Sequence, residues 1–320
     1  MKTVPKFVYS AFAIASLAIG AVTANGAVSD LFASVNGAAN NGGGFIYQYN
    51  PGGVQSIFAA GLSRPRGVAF DHFGNLFVAT NTLDPNTGTF SAAILKIFPD
   101  GTQTTFANIN GPSADFFASG ANFDSAGNLF VTVGDDTDVN LAATIYKFTP
   151  TGVQSTFGNM PGQPFALAFD GAGNLFAADA ADRTIYQFTP DGTRSVFVGP
   201  DGFPPGQGPS GLAFDRFGNL FVSSNDIVLK FTPNGVGSTF AMNLVNARGL
   251  AFDRAGNLFV AEIIQTGPGD IIKITPDGTQ TVFASGIGPG GNGGPEYLAF
   301  QLLPTPRPRP TPHPRPALQP

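Results

Sequence analysis

The sequence predicts an all-β protein, a six-bladed β-propeller of four-stranded antiparallel blades. Three observations carry this reading. A core of the form Phe-Asp-x-x-Gly-Asn-Leu-Phe starts at Phe70, Phe123, Phe169, Phe214 and Phe252, at spacings of 53, 46, 45 and 38 residues. Such spacings suit a blade with loops of varying length and exceed those of leucine-rich or hexapeptide solenoids. Within one copy, residues 211–241, four short apolar runs alternate with turn residues, the pattern of a four-stranded antiparallel sheet. The composition agrees: 42 Gly and 27 Pro supply turns, while 32 Phe with 6 Tyr and no Trp supply the aromatic interior of a β-rich chain.

Taken in order, residues 1–24 read as a signal peptide. Lys2 and Lys6 form a basic start, residues 7–22 an apolar Ala-rich stretch, and Val22-Thr23-Ala24 a cleavage site. The apolar run is short for an uncleaved membrane anchor, so no membrane span is expected after cleavage. With no cysteine in the chain, burial and hydrogen bonding alone must hold the exported fold, and a secreted or bacterial periplasmic location is expected. The next residues are pieces of an incomplete blade: Asp30-Leu31-Phe32-Ala33-Ser34 matches a second strand, residues 45–49 a third and residues 55–59 a fourth. Five full copies follow. Then Tyr297-Leu298-Ala299-Phe300-Gln301 repeats a first strand and stops. The sixth blade is therefore expected to take one strand from the C-terminal end and three from the N-terminal end. Closure of this kind removes the sheet edges that an open array would present. The propeller is expected over residues 25–303, and residues 304–320, a Pro-rich run, form a tail expected to be polyproline II or disordered.

The repeated residues have structural reasons. Small residues in the first strand, as in Gly67-Val68-Ala69 and Gly211-Leu212-Ala213, let the innermost strands converge on the axis. Phe fills three six-membered columns, one ending the first strand, one in the second (Phe32, Phe77, Phe130, Phe176, Phe221, Phe259) and one in the fourth. Eighteen of the 32 Phe fall in these columns, which places them between stacked blades rather than on a ligand. In Asp-x-x-Gly the carboxylate accepts turn amides and Gly takes the left-handed position. Because Asp71, Asp124, Asp170, Asp215 and Asp253 recur identically, they are read as turn residues and not as catalytic carboxylates. Pro-Asp-Gly-Thr at Pro99, Pro190 and Pro276 presets the turn between strands three and four.

Residues 25–303 carry 11 Lys and Arg against 21 Asp and Glu, a net charge of −10. A body this acidic is a poor partner for nucleic acid. A monomer is expected.

The segments Gly-Leu-Ala-Phe-Asp-Arg-Phe-Gly-Asn-Leu-Phe-Val and Ile-Tyr-Gln-Phe-Thr-Pro-Asp-Gly-Thr resemble NHL repeats, and the resemblance covers residues 30–303. It implies the six-bladed propeller and relates the chain to SMP-30/gluconolactonase-like hydrolases, which use a divalent metal in the central channel, and to streptogramin lyases. NHL propellers also serve as binding scaffolds, so the fold alone does not choose between these functions.

If the resemblance holds, one face carries the repeated turns and the other the variable connections, where function is expected. Directly after strand two come Val35, Thr80, Val133, Asp179, Ser224 and Glu262; directly before strand one come Arg66, Ser119, Phe165, Ser210, Arg248 and Glu296. These positions are expected to surround the channel mouth. Asp179, Glu262 and Glu296 offer oxygen ligands to a hard cation, and Arg66 and Arg248 suit a carboxylate or phosphate. Glu296 stands where the lactonase-like resemblance implies a metal-ligand Glu, with Asp179 or Asn225 as its partners. A lyase would need a His acid or base, but His72 lies in an Asp-x-x-Gly turn on the opposite face and His313 in the tail. Asp136, Asp138 and Asn140 have the alternate spacing of a peripheral calcium loop, although Leu141 and Lys147 break the EF-hand pattern. The first functional expectation is a secreted module that binds a protein, peptide, glycan or small molecule across the variable face. Its Gly-, Pro- and Asn-rich loops at residues 36–44, 200–209 and 286–294 favour contact. The second is a metal-dependent hydrolase of small lactones or esters, using calcium or a similar divalent ion.

Overall fold

The computed structural model describes residues 29–37, 43–111, 116–134, 142–264, 267–289 and 293–301. The signal segment, the Pro-rich tail and the Asp136, Asp138 and Asn140 loop lie outside the described residues. The described chain forms six four-stranded antiparallel sheets. Five are built from consecutive strands. The sixth has the order Pro295–Phe300, Leu31–Val35, Gly44–Tyr49, Gln55–Leu62, so the two ends of the chain share one blade as expected. The first strands of the other blades are Val68–Phe70, Phe117–Phe123, Pro164–Phe169, Leu212–Phe214 and Ala247–Phe252. Each of the six contacts the first strand of the next blade, and the contacts run around a closed ring.

The Phe columns fix how neighbouring blades stack. Every second-strand Phe meets two other rings edge-on: one from the fourth strand of its own blade and one from the first strand of the next. Phe221, for example, meets Phe240 at 4.9 Å and Phe252 at 4.9 Å. The arrangement repeats at Phe32, Phe77, Phe130, Phe176 and Phe259. Edge-to-face pairs match the positive rim of one ring to the negative face of another. In four blades a third-strand lysine (Lys96, Lys147, Lys230, Lys273) also lies over the central ring, between 5.4 and 5.8 Å from its centroid.

The repeated Asp residues are turn residues, as their recurrence implies. Asp71 Oδ1 accepts the amides of Phe73 and Asn75, and its Oδ2 accepts the Asn75 side chain at 2.7 Å. The same carboxylate–asparagine clasp recurs at Asp124, Asp170, Asp215 and Asp253. Gly74 in this turn has φ 83°, a conformation that a Cβ disfavours. His72 belongs to the same turn, its ring 3.9 Å from that of Phe73, at the end of the ring away from the variable connections.

Candidate functional site

At the other end of the ring the first strands begin, and their leading residues follow in blade order: Arg66, Ser119, Phe165, Ser210, Arg248, Glu296. Four of these lie inside the strands rather than ahead of them, at irregularities of register. Ala118 pairs with Val133 and Ala121 with Val131, so Ser119 and Gly120 together face the single residue Thr132. Phe165 and Ala166 likewise face Ala178, and Arg248 and Gly249 face Ala261. Glu296 is the extra residue between Tyr297, opposite Ser34, and Pro295, opposite Val35. A bulge of this kind re-aims a side chain out of the pleat's alternation. Here it sits where each blade presents its head to the channel.

Hydroxyls in alternate blades hold these heads. Gly120 and Gly211 donate their amides to Thr132 Oγ1 at 2.8 Å and Ser223 Oγ at 2.7 Å, and the Tyr297 amide donates to Ser34 Oγ at 3.2 Å. Two of the hydroxyls also donate onward to the next blade, Thr132 to the Phe165 carbonyl and Ser223 to the Arg248 carbonyl. The corresponding second-strand position is Ala79, Ala178 or Ala261 in the intervening blades. Thus Phe165, Arg248 and Tyr297 each have their backbone pinned by a buried or bridging hydroxyl. The alternation of Ser or Thr with Ala was visible in the sequence as a signal, but its meaning depends on which strands meet.

The residue after each head is Gly67, Gly120, Ala166, Gly211, Gly249 or Tyr297. Closeness of neighbouring strands demands the small ones: a Cβ on Gly211 would lie 2.1 Å from the Arg248 carbonyl oxygen. Tyr297 is the exception and was not singled out from sequence. Its hydroxyl crosses to the far side of the ring, 2.6 Å from Ser119 Oγ and 3.4 Å from the Phe165 carbonyl oxygen. Burial pushes its pKa above the usual phenol value, which keeps it a neutral hydrogen-bonding group. Tyr297 separates a mouth cavity, lined with Phe165, Ser210, Arg248 and Glu296, from a lower channel space of about 70 Å³ lined with Val68, Leu167, Leu212, Leu250 and Leu298.

The charges at the mouth are unequally satisfied. Glu296 accepts a hydrogen bond from the Asn36 side chain through Oε1, and its Oε2 lies 3.8 Å from Arg66 Nε. Arg66 also lies over the Phe117 ring at 5.0 Å. Arg248 lies over the Phe165 ring at 5.3 Å, two blades away, and its Nε is buried without an acceptor among the described residues.

The structure gives the second set of expected mouth residues a different place. Asp179, Ser224 and Glu262 are the final residues of their second strands, and Thr80 lies within Leu76–Leu83. Val35, Thr80, Val133, Asp179, Ser224 and Glu262 are all buried. None of them lines the mouth cavity. Asp179 Oδ1 accepts the amides of Gln163 and Asp182, both at 3.1 Å, and Glu262 Oε1 accepts the Val245 amide at 2.8 Å. Asp179 thus braces the approach to its blade's first strand and the turn after its second strand, and Glu262 the approach to Ala247–Phe252. Desolvation pushes Asp179 up to about 7, despite its two amide donors, and raises Glu262 as well. Asn225 is exposed in the two-residue turn between Leu220–Ser224 and Ile227–Phe231, at φ 55°, a conformation Asn tolerates. Its backbone bridges to Ala247.

A divalent metal was therefore tested against the residues present. Asp179 is committed to loop amides, Asn225 is a turn residue, and Glu296 stands among two arginines. No group of three His, Cys, Asp or Glu residues able to hold a metal occurs among the described residues. A single carboxylate beside the Arg66 guanidinium does not fit a hard dication, which needs several oxygen ligands. Among the described residues the mouth carries Arg66 and Arg248 against Glu296, an excess of one positive charge.

No protein-family model matches this sequence, and no curated protein matches it. Solved structures do. The periplasmic gluconolactonase PpgL of Pseudomonas aeruginosa is 15% identical, with a TM-score of 0.56 over 87% of this chain and 100% of that one. A protein of unknown function from Bacteroides caccae is 15% identical, with a TM-score of 0.55 over 79% of this chain and 94% of that one. Virginiamycin B lyase from Staphylococcus aureus is 18% identical, with a TM-score of 0.53 over 74% of this chain and 77% of that one. At these identities the likeness is one of fold, and it agrees with the strand pairing: the chain is a six-bladed β-propeller.

Proposed function

We propose that this protein is an exported propeller of the NHL kind whose variable-loop face binds a protein, peptide or glycan around the channel mouth. The observation that carries this reading is the contrast between frame and heads. Turns and Phe triads repeat from blade to blade, while the head residues (two Arg, two Ser, one Phe and one Glu) vary, four of them set on bulges and three of the blades clamped by a hydroxyl. A rigid frame presenting unlike side chains around one opening is suited to recognition, because little ordering entropy remains to be lost on binding. The alternative reading, metal-dependent hydrolysis of lactones or esters, would rest on Glu296 and the shared fold, but the donor set around Glu296 does not favour it.

The experiment compares the wild-type protein with Ser210→Trp, which fills the mouth, on peptide and glycan arrays and in a lactone-hydrolysis panel with calcium, zinc and manganese. Binding that is lost in Ser210→Trp, with an unchanged Tm, supports the recognition reading. Metal-dependent turnover that disappears in Glu296→Gln would overturn it in favour of the hydrolase.

A further inference from the structure

Resting on the mouth as the binding site, we propose that Arg248 and its cavity receive the carboxylate group of a small organic acid, a monoanion whose remainder stays outside the channel. Several observations converge on this. Arg248 lines the cavity, and its Nε is buried without an acceptor among the described residues. A buried donor left unpaired costs free energy that an incoming acceptor recovers. Arg66 is not equivalent, because it lies 3.8 Å from Glu296, whose other oxygen is held by Asn36.

The charge sets the valence. Among the described mouth residues two arginines and one glutamate leave one positive charge, which suits a monoanion. Shape points the same way: a guanidinium presents a planar fork that matches a carboxylate. Size limits how much of the ligand enters. Tyr297, bonded across the ring to Ser119, floors a cavity of about 10 Å³, room for one carboxylate oxygen in the place of a water and for no more of the ligand. The Ser223 hydroxyl, bonded to the Arg248 carbonyl, holds the arginine in place before any ligand arrives.

The test is an NMR titration of the full-length protein with butyrate, with butyramide as its neutral isostere, and with inorganic phosphate. Butyrate is expected to saturate and to shift the Ser210, Arg248 and Tyr297 amides, and butyramide to do neither. Arg248→Gln is expected to weaken butyrate at least about tenfold, the usual consequence of removing one member of a desolvated charge pair. Arg66→Gln is expected to change it by less than about threefold, since its charge is already shared with Glu296. Unchanged amide spectra away from the mouth show that each variant is folded; if Arg248→Gln is not, Arg248→Lys takes its place and is expected to bind more weakly than wild type through loss of the planar fork. Absence of butyrate binding, tighter binding of phosphate, or binding indifferent to Arg248 overturns the proposal. The wider recognition reading is tested separately: array ligands lost in Ser210→Trp but insensitive to Arg248→Gln would leave that reading standing and remove this one.

Discussion

Asp179 shows how a residue's chemistry is decided by its partners. Its identity marked it as a possible ligand, yet it is fully buried with Oδ1 on two amides and Oδ2 without a partner among the described residues. The raised pKa makes its ionisation a cost to the fold. Its folded value of about 7 exceeds the unfolded value of 3.8, so the folded state binds more protons between these limits. Stability tied to this group is fully present below about pH 4 and is lost as pH rises through 7. Nearby Asp182 adds to the rise, and the Tyr186 hydroxyl donates to Asp182 at 3.1 Å. Asp179→Asn keeps an acceptor for both amides and removes the charge. At about 1.4 kcal/mol per pKa unit, it should stabilise the protein by about 2 to 4 kcal/mol at pH 8 and hardly at all at pH 4, which denaturant unfolding at the two values would measure. The sequence reading set Asp179 directly after strand two at the mouth, whereas it is that strand's last residue and faces loop amides, which come from loops with no repeated pattern. Arg66, Arg248 and Glu296 were legible as heads because they stand at fixed offsets from a repeated strand.

At the level of strands and turns, repetition made the structure readable. A Phe recurring in the same place in six copies must meet an environment that also recurs, and edge-to-face triads joining one blade to the next are that environment. Phe221→Ala removes a ring that is 3% exposed and contacts both Phe240 and Phe252, and should cost about 3 to 5 kcal/mol. Phe217 is a Phe of the same sequence copy but lies 70% exposed in the Asp215 turn. Phe217→Ala should change stability by less than about 0.5 kcal/mol, so denaturant midpoints for the pair check the column assignment. What repetition hid was the bulges. They leave no mark on an apolar pattern, because the extra residue is visible only against the partner strand. Ser34, Thr132 and Ser223 do leave a mark, an alternation with Ala, but their role shows only in the strand beside them and, for two of the three, the blade beyond.

For the whole molecule, the decisive feature is where the chain closes. In the five continuous blades an Asp-x-x-Gly-Asn turn joins the first strand to the second. In the sixth, Phe300 pairs with Leu31, and the Gln301 amide donates to the Asp30 carbonyl at 3.2 Å, as Asp71 donates to Asn75 at 3.0 Å elsewhere. The two ends of the propeller thus meet at the place of one ordinary turn. A circular permutant that joins Phe300 to Leu31 through Asp-Arg-Phe-Gly-Asn, with new ends opened between Asn86 and Thr87, should fold with a Tm at or above that of the parent. Removing residues 295–301 should instead abolish cooperative unfolding, since it strips the edge of Leu31–Val35 and reopens the ring; calorimetry distinguishes both from the parent. The blade count, the strand order within each blade, the closing partnership and the ring of heads were legible in the sequence, because all of these are local patterns present in five full copies and one split copy. It took the folded ring to show that Tyr297 spans the channel to Ser119, that Asp179 and Glu262 brace loops instead of facing the mouth, and that Arg248 Nε has no acceptor among the described residues. Each of these depends on atoms from blades far apart in sequence, whose meeting is set by how the ring closes and by no pattern within a single repeat.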